Sequence, residues 1–164
     1  MELKFVKLSE NAIVPCYGRF GDAGLDLFTA KEIVLEPGET RVIPTDIAIQ
    51  LPLGYEAQVR PRSGISLKGV DCMKMIEIYD PSKTFEENFY CKAYLRVQLG
   101  TVDSNYRGNI GIITYNQEDY PVCVPQGTKL AQLVVSPVIN VELVEADKLD
   151  ETERGEKGYG SSDK

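Results

Sequence analysis

Three side chains that can take part in hydrolysis are crowded into the stretch GTVDSNYRGNIG. They are Asp103, Tyr106 and Arg107, and the chain contains no histidine. Ser-His and Cys-His catalysis are therefore excluded, and acid or base chemistry must come from carboxylates, tyrosine or lysine. Asp103 is the natural candidate for orienting or deprotonating a water molecule. The alternative for this stretch alone is a hairpin with Asn105 and Gly108 at its bend.

A second polar unit is RPRSGIS, residues 60–66. Arginine, the Ser63 hydroxyl and the backbone N–H groups of a helix start can together bind an anion. The alternative is a helix that follows Pro61, is capped by Ser63 and leaves its arginines in solvent. The one short helix that the sequence predicts is SGISLK.

Two polar residues interrupt apolar, strand-like stretches. AGLDLFTA contains Asp26, and an ionised carboxylate in such a strand needs a partner or a cation. GTKLAQLVV places Gln132 at the head of a strand that looks buried. Taken alone, a hydrogen-bonded strand-end aspartate and an edge glutamine are the simpler interpretations.

The C-terminal stretch ERGEKGYGSS combines Arg154 with an aromatic residue and three glycines. Chain ends are usually the least ordered part of a domain. The sequence becomes charged from Glu145, which predicts a flexible arm over residues 145–164. This arm is either a frayed end or a flap that becomes ordered on another surface.

Composition narrows the possible classes of function. The 164 residues predict one domain, and a net charge of -7 opposes binding to DNA or RNA. No stretch approaches the roughly eighteen apolar residues of a membrane span, so we expect a soluble, unexported chain. The spacing of the four cysteines is typical of neither a metal site nor a disulfide framework, which indicates reduced, mostly buried thiols.

Strand signals dominate the chain. Short stretches rich in β-branched and aromatic residues, cut by proline and glycine, predict an antiparallel sandwich or barrel. LEPGET predicts a turn at Pro37 and Gly38, and KLAQLVVSPVINVELV predicts strand as far as Val144. Residues 71–92 combine an apolar and an acidic, proline-broken part, and look like an excursion from the strand pattern.

The order of these stretches carries more information than any one of them. AGLDL, PRSG, GTVDSNYRG, GTKLAQL and RGEKGYGSS follow one another along the chain. This order resembles the five motifs of the trimeric dUTPase family. The resemblance implies an all-β, jelly-roll-like (β-clip) subunit with one short helix, assembled as a homotrimer with shared active sites. It also implies a β domain over residues 1–144 and a swapped C-terminal arm over residues 145–164.

The resemblance implies a role for each motif residue. Asp103 is similar to the aspartate that positions the attacking water, and Tyr106 to the tyrosine that packs beneath the deoxyribose and excludes a 2'-hydroxyl. Ser63 is expected to contact an oxygen near the α,β bridge, with Arg62 supporting the phosphates. Backbone around Gly100 is expected to read the uracil edge.

The arm and a metal complete the implied site. Arg154 is expected to meet the γ-phosphate and Tyr159 to stack on the base. The resemblance also implies Mg²⁺, with Asp26 and Gln132 holding its waters rather than the ion itself. The remaining substrate-binding residues that it implies are Gly64, Gly160, Ser161 and Ser162.

The insert at residues 71–92 is similar to that of dUTPases from staphylococcal bacteriophages. Enzymes of that group also bind a repressor of mobile genetic islands, so the resemblance implies a phage-encoded protein in the bacterial cytoplasm with a second, protein-binding role. Its possible anchors are Tyr79, Phe85, Phe89, Tyr90 and Tyr106.

The expected reaction is Mg²⁺-dependent hydrolysis of dUTP to dUMP and pyrophosphate. It keeps uracil out of DNA and supplies dUMP for dTTP synthesis. Two alternatives stay open: a dCTP deaminase-like enzyme, and a protein-binding module gated by nucleotide.

Overall fold

The structure is a computed structural model that describes residues 1–80 and 83–156, with side chains described for residues 1–74 and 89–156. Within these residues the chain forms fourteen β-strands and one α-helix, α1 (Ser63–Lys68). The strands are β1 (Lys4–Lys7), β2 (Cys16–Tyr17), β3 (Leu25–Phe28), β4 (Ile33–Leu35), β5 (Thr40–Pro44), β6 (Ile47–Gln50), β7 (Tyr55–Pro61), β8 (Val70–Asp80), β9 (Lys83–Ala93), β10 (Leu95–Val97), β11 (Gly100–Val102), β12 (Gly111–Asn116), β13 (Val122–Val124) and β14 (Lys129–Pro137). The predicted all-β class with one short helix is confirmed.

The strands pair antiparallel in four sheets. The largest has the order β11-β7-β14-β3-β2, and the others are β4-β13-β8-β9, β10-β12-β5 and β1-β6. β14 lies at the centre of the largest sheet, between β7 and β3. Three motif stretches, AGLDL, PRSG and KLAQL, therefore lie side by side at one end of a single sheet.

Buried residues alternate with more exposed ones along several strands of the core. In β12, every second residue is buried, as expected for a strand with one face toward the interior. Leu27, Ile43, Ile112, Leu130 and Leu133 are at most 1% exposed and join several sheets in one cluster. The turn predicted at LEPGET is present, with Gly38 at a positive φ of 70°.

Helix α1 lies over the predicted stretch SGISLK, but its start differs from the prediction. Arg62 is the N-cap residue, with extended φ and ψ of -93° and 131°, and no side chain caps the helix. Arg62 is held at the end of β7 by an ion pair with Asp26, and this places Ser63 in the first turn. The predicted capping role of Ser63 is therefore wrong. Among the described residues, no helix is long and apolar enough to cross a bilayer.

Residues 71–80 and 83–92 do not depart from the strand pattern. β8 and β9 pair in continuous register from Val70 opposite Ala93 to Asp80 opposite Lys83. The base of this hairpin is part of the core, because Cys72 is only 1% exposed. The region is a long two-stranded extension of the four-stranded sheet.

Two further expectations are corrected by the pairing. β11 pairs with β7, whereas β12 pairs with β5 and β10, so the bend between them links two sheets and is not a hairpin. The strand predicted as far as Val144 ends at Pro137. Residues 138–144 find no strand partner among the described residues, and their apolar side chains are exposed, including Ile139 at 87% and Leu143 at 93%.

Candidate active site

Asp26 is a buried carboxylate between two cations. Asp26 is 6% exposed, and its Oδ1 lies 2.9 Å from Nε of Arg62. Its Oδ2 lies 3.0 Å from Nζ of Lys129 but accepts no hydrogen bond. Arg62 follows β7 and Lys129 opens β14, so the pairing of β14 with both β7 and β3 brings the three charges together. Asp26 therefore has ionic partners, as an ionised carboxylate in an apolar strand requires.

Gln132 lies directly opposite Asp26 in the pairing of β14 with β3. Its Nε2 donates to the backbone carbonyl of Pro61 at 3.0 Å, which fixes the side-chain amide. The amide packs so closely on Gly24 that a Cβ there would lie 2.7 Å from Gln132 Oε1. The structure thus brings two predicted site residues, Asp26 and Gln132, together at the same end of the sheet.

A cationic cavity of about 410 Å³ opens beside α1. Its lining includes four basic side chains against one acid, Asp71. A cavity lined by one sign of charge concentrates ligands of the opposite sign. Its basic residues are Arg62, Lys68, Lys92 and Lys129. Two of the predicted phosphate contacts, Arg62 and Gly64, lie in this lining, and Ser63 between them is exposed.

The loop after β11 presents Asp103 to solvent. A turn brings the Tyr106 N–H to the Asp103 carbonyl at 3.1 Å. Arg107 Nη1 donates to the carbonyls of Ser104 and Tyr106, both at 2.7 Å, so the arginine fastens the turn rather than a ligand. Asp103 lines a separate cavity of about 370 Å³ with Glu56.

The two groups of candidate residues lie at opposite ends of β7. Val102 is opposite Ala57, so Asp103 follows at the level of Glu56. Arg62 comes six positions later than Glu56 along the same chain direction. At about 3.3 Å per strand residue, Asp103 and Arg62 are roughly 20 Å apart. One chain therefore does not bring Asp103 to the cavity that contains Arg62.

Gly100 begins β11, an edge strand of the largest sheet. Among the described strands it pairs on one side only, with Val59. The other side of an edge strand leaves backbone N–H and C=O groups available to a further partner. This is the type of surface that can form hydrogen bonds to the edge of a base without any side chain.

The structure describes some of the other predicted residues and not the rest. Arg154 is exposed and adjoins a turn in which the Gly155 N–H donates to Thr152. Tyr159, Gly160, Ser161 and Ser162 lie outside the described residues, as do the side chains of Tyr79 and Phe85. Phe89 and Tyr90 are on β9 and are 46% and 88% exposed.

Sequence reasoning missed two positions that support the site. Gly24 makes room for the Gln132 amide. The only sequence signal for this role is that the residue in AGLDL is a glycine. Asp46 adopts a positive φ of 52° and accepts a hydrogen bond from Asn109 in the Asp103 loop. The sequence could have indicated this position only by residue type. Aspartate tolerates a positive φ, and Asp46 stands at the break between two strand-like stretches in PTDIAI.

The residues present fit a hydrated Mg²⁺ better than a directly held ion. Among residues 1–74 and 89–156, whose side chains are described, no three acidic or cysteine side chains converge as a metal site. Asp26 Oδ2 accepts no hydrogen bond, although the Lys129 ammonium lies 3.0 Å from it, and the Gln132 amide donates through Nε2, which leaves its oxygen as an acceptor. Two adjacent acceptors of this kind can hold metal-bound water, and Mg²⁺ usually retains several waters.

Comparison with known proteins identifies the family. The family model described as dUTPase matches residues 10–79 and 90–163. A deoxyuridine 5'-triphosphate nucleotidohydrolase of Gloeothece citriformis is 41% identical over 162 residues, covering 99% of this chain and 97% of that protein. The corresponding protein of Clostridium novyi is 40% identical, with 99% of each chain covered.

Solved structures agree with this result. The dUTPase of Staphylococcus bacteriophage 80alpha with dUPNHPP has a TM-score of 0.79 and 31% identity, covering 98% of each chain. The dUTPase from phage phi11 of S. aureus, described as showing a species-specific insert, has a TM-score of 0.73 and 28% identity, covering 93% of this chain and all of that one. A mutant of the phi11 enzyme is described as coordinating a structural Mg(II) ion.

The chain is an all-β subunit with acidic and cationic motif residues at the end of one sheet. It has the fold of the dUTPase structures described above. The chain belongs to the dUTPase family. The predicted family and the predicted likeness to staphylococcal phage enzymes are confirmed.

Proposed function

We propose that the chain hydrolyses dUTP to dUMP and pyrophosphate by attack of water on the α-phosphorus. Its family makes it a dUTP diphosphatase. In the cell this reaction keeps uracil out of DNA and supplies dUMP for dTTP synthesis.

The cationic cavity beside α1 is the observation that carries this proposal. A triphosphate needs several positive partners, and the cavity offers Arg62 and Lys129 already aligned by Asp26. The adjacent Ser63 hydroxyl and the backbone at Gly64 supply further donors to the phosphates. Because Asp26 is buried and paired, it holds the two cations in place without neutralising them both.

Asp103 orients the attacking water and receives its proton as the bond to phosphorus forms. No histidine competes for this role, and the carboxylate is exposed in a loop fixed by Arg107. The bond between the α-phosphorus and its bridging oxygen then breaks, and pyrophosphate leaves with the electron pair. Tyr106 packs beneath the deoxyribose, while the free side of β11 at Gly100 reads the uracil edge.

The complete site is shared between subunits of a homotrimer. Asp103 and Arg62 are roughly 20 Å apart in one chain, too far to act on the same phosphate, so a second copy supplies one of them. The exposed apolar residues of 138–144 support assembly, because such residues are normally buried against a partner. The arm over residues 145–164 then reaches a neighbour, where Arg154 and Tyr159 with Gly160, Ser161 and Ser162 cover the nucleotide.

Mg²⁺ neutralises phosphate charge when it is bound. Asp26 and Gln132 would hold its waters through Asp26 Oδ2 and the Gln132 amide oxygen. Their contribution is to orient these waters against the phosphates.

Product analysis tests the activity. Purified protein is incubated with dUTP, dCTP, dTTP or UTP, with and without Mg²⁺, and we expect dUMP and pyrophosphate from dUTP alone and only with the metal. Asp103→Asn should lower kcat by about 100-fold or more. Asp119→Asn, an exposed turn acid, is the matched control. Deamination of dCTP would identify a deaminase, and no turnover of any nucleotide would leave a nucleotide-gated binding module.

A second role, in binding a protein, is favoured by the β8–β9 hairpin. β9 is an edge strand, and Phe89 and Tyr90 expose aromatic side chains on it. Consecutive strand residues point to opposite faces, so a partner that contacts both must wrap the free edge. We propose a repressor of a mobile genetic island as this partner, with Tyr79, Phe85 and Tyr106 as further contacts. Phage dUTPases similar to this chain are described as controlling transfer of virulence genes.

Tyr90→Ala tests the second role with little risk to the fold, since this side chain is 88% exposed. We expect weaker binding to such a purified repressor in a titration calorimeter, with dUTP turnover unchanged. Tyr94→Ala, a half-exposed tyrosine just beyond β9, is the control. Equal affinity of wild type and Tyr90→Ala would remove Tyr90 from the interface.

A further inference from the structure

The Asp103 loop is clamped at its exit by the segment between β5 and β6. The Ile110 carbonyl accepts from the Thr45 N–H at 3.2 Å and from Thr45 Oγ1 at 2.7 Å. The Ile110 N–H donates to the Ile47 carbonyl at 2.8 Å. Backbone on both sides of Asp46 therefore fixes where the loop re-enters the core.

Asp46 itself has an unusual conformation for its residue type. It is the one non-glycine residue with a positive φ, 52°, among the described residues. Glycine would adopt this conformation without steric cost, whereas a side chain is strained there. The Asp46 side chain is used: its Oδ1 accepts from Asn109 Nδ2 at 2.7 Å, in a half-buried position.

Asn109 in turn holds Tyr106. The Tyr106 hydroxyl donates to the Asn109 carbonyl at 3.0 Å, so the ring folds back over the loop. Gly108 makes this possible, because a Cβ at that position would lie 2.4 Å from the Tyr106 hydroxyl. A continuous set of contacts thus runs from Asp46 through Asn109 to the phenol.

We propose that Asp46 is a positioning residue that fixes the Tyr106 ring through Asn109 and thereby sets the preference for deoxyribose over ribose nucleotides. The inference rests on the proposed function, in which Tyr106 packs beneath the sugar. A ring excludes a 2'-hydroxyl only if it is held at a constant distance from the sugar. Asp46 supplies this constraint from outside the nucleotide site, and the strained backbone keeps its carboxylate on Asn109.

Asp46→Gly is the informative variant, since glycine suits the backbone and removes only the side-chain acceptor. The measured quantity is kcat/KM for dUTP divided by kcat/KM for UTP, from pyrophosphate release, with enough enzyme and time to detect residual UTP turnover too slow to appear in the product analysis. We expect this ratio to fall about five-fold or more, as one hydrogen bond to a charged group is lost. Asp46→Asn keeps an acceptor and tolerates positive φ, so it should retain a ratio near that of wild type.

A double-mutant cycle separates positioning from a general structural effect. Tyr106→Phe lacks the hydroxyl through which Asp46 acts, so Asp46→Gly should change the ratio little in that background. Faster amide hydrogen exchange in residues 103–110 of Asp46→Gly, with an unchanged melting temperature, would support the same conclusion without any turnover.

Two results would overturn the inference: a wild-type ratio in Asp46→Gly, or an equal fall of the ratio in the wild-type and Tyr106→Phe backgrounds. The proposed function fails differently. If the wild-type chain itself turned over UTP as well as dUTP, the role of Tyr106 against the sugar would be wrong, whatever Asp46 does.

Discussion

Asp26 and Arg62 form an ion pair of 2.9 Å. It joins β3, which includes Asp26 of the AGLDL motif, to the PRSG motif at the end of β7. Asp26 is almost fully buried, whereas about a third of the Arg62 side chain remains exposed. Lys129 approaches the same carboxylate from β14. The pair therefore fixes the direction in which two cations face the cavity beside α1.

Removal of this carboxylate should destabilise the fold. Asp26→Asn keeps the shape of the side chain but leaves Arg62 and Lys129 without their anion. We expect a loss of about 1–3 kcal/mol in the free energy of unfolding, because hydrogen bonds to charged groups contribute in this range. Urea denaturation measures it as a lower midpoint at constant m-value.

Asp71→Asn, whose carboxylate pairs with Lys92 in an 85% exposed position, is the control and should change the midpoint little. Equal midpoints for Asp26→Asn and wild type would show that the ion pair does not stabilise the fold.

Three cysteines differ in their expected reactivity. Burial is the main cause that raises the pKa of Cys72 to about 12 and that of Cys123 to about 11. The thiolate is the reactive form, so both thiols stay protonated and slow to react until the pH approaches these values. Cys16 is exposed. Iodoacetamide at pH 8, followed by peptide mass spectrometry, should label Cys16 long before the other two.

Raising the pH to 9 should still leave Cys72 and Cys123 largely unmodified. Denaturant provides the control, since unfolding exposes all thiols and should equalise their rates. Rapid labelling of Cys72 in the folded protein would mean that the base of the β8–β9 hairpin opens readily.

Much of the fold could be predicted from local pattern. The β-branched and aromatic residues of NIGIITYN predict β12, and the stretch SGISLK after Pro61 predicts α1. Residues 71–92 were harder, because this stretch combines an apolar part with an acidic, proline-broken part and does not read as two strands. The start of α1 was missed since a distant residue, Asp26, fixes the N-cap.

The candidate site was predictable as a set of residues but not as an arrangement. Asp26, Arg62 and Gln132 are brought together by the pairing of β3, β14 and β7, which their separate stretches do not specify. The position of Asp103 at the far end of β7 depends on register, and one strand's register is invisible in its own sequence. Asp46 supports the site through backbone conformation, for which the residue type is only a weak signal.

Deletion of the C-terminal arm should separate folding from turnover. Residues 145–156 are exposed and form no strand, so a chain that ends at residue 144 should keep its melting temperature within a few degrees. We expect kcat/KM for dUTP to fall by about 100-fold or more, because the groups that cover the phosphates are lost. Full activity of the truncated chain would exclude the arm from the site. A large fall in melting temperature would instead show that the boundary at residue 144 is misplaced.

Mixed trimers should recover activity from two inactive variants. Asp103→Asn and Arg62→Ala each disable a different part of the site, and these parts lie roughly 20 Å apart in one chain. If Asp103 of one subunit acts with Arg62 of another, co-refolding equal amounts of both variants creates some sites with neither change. Random assembly predicts about a quarter of the wild-type rate in the mixture, whereas each variant alone stays near zero.

Mixing the two variants after separate folding is the control, since stable trimers do not exchange subunits quickly. Co-refolded mixtures with no more activity than this control would mean that each chain completes its own site, and the shared-site arrangement would have to be abandoned.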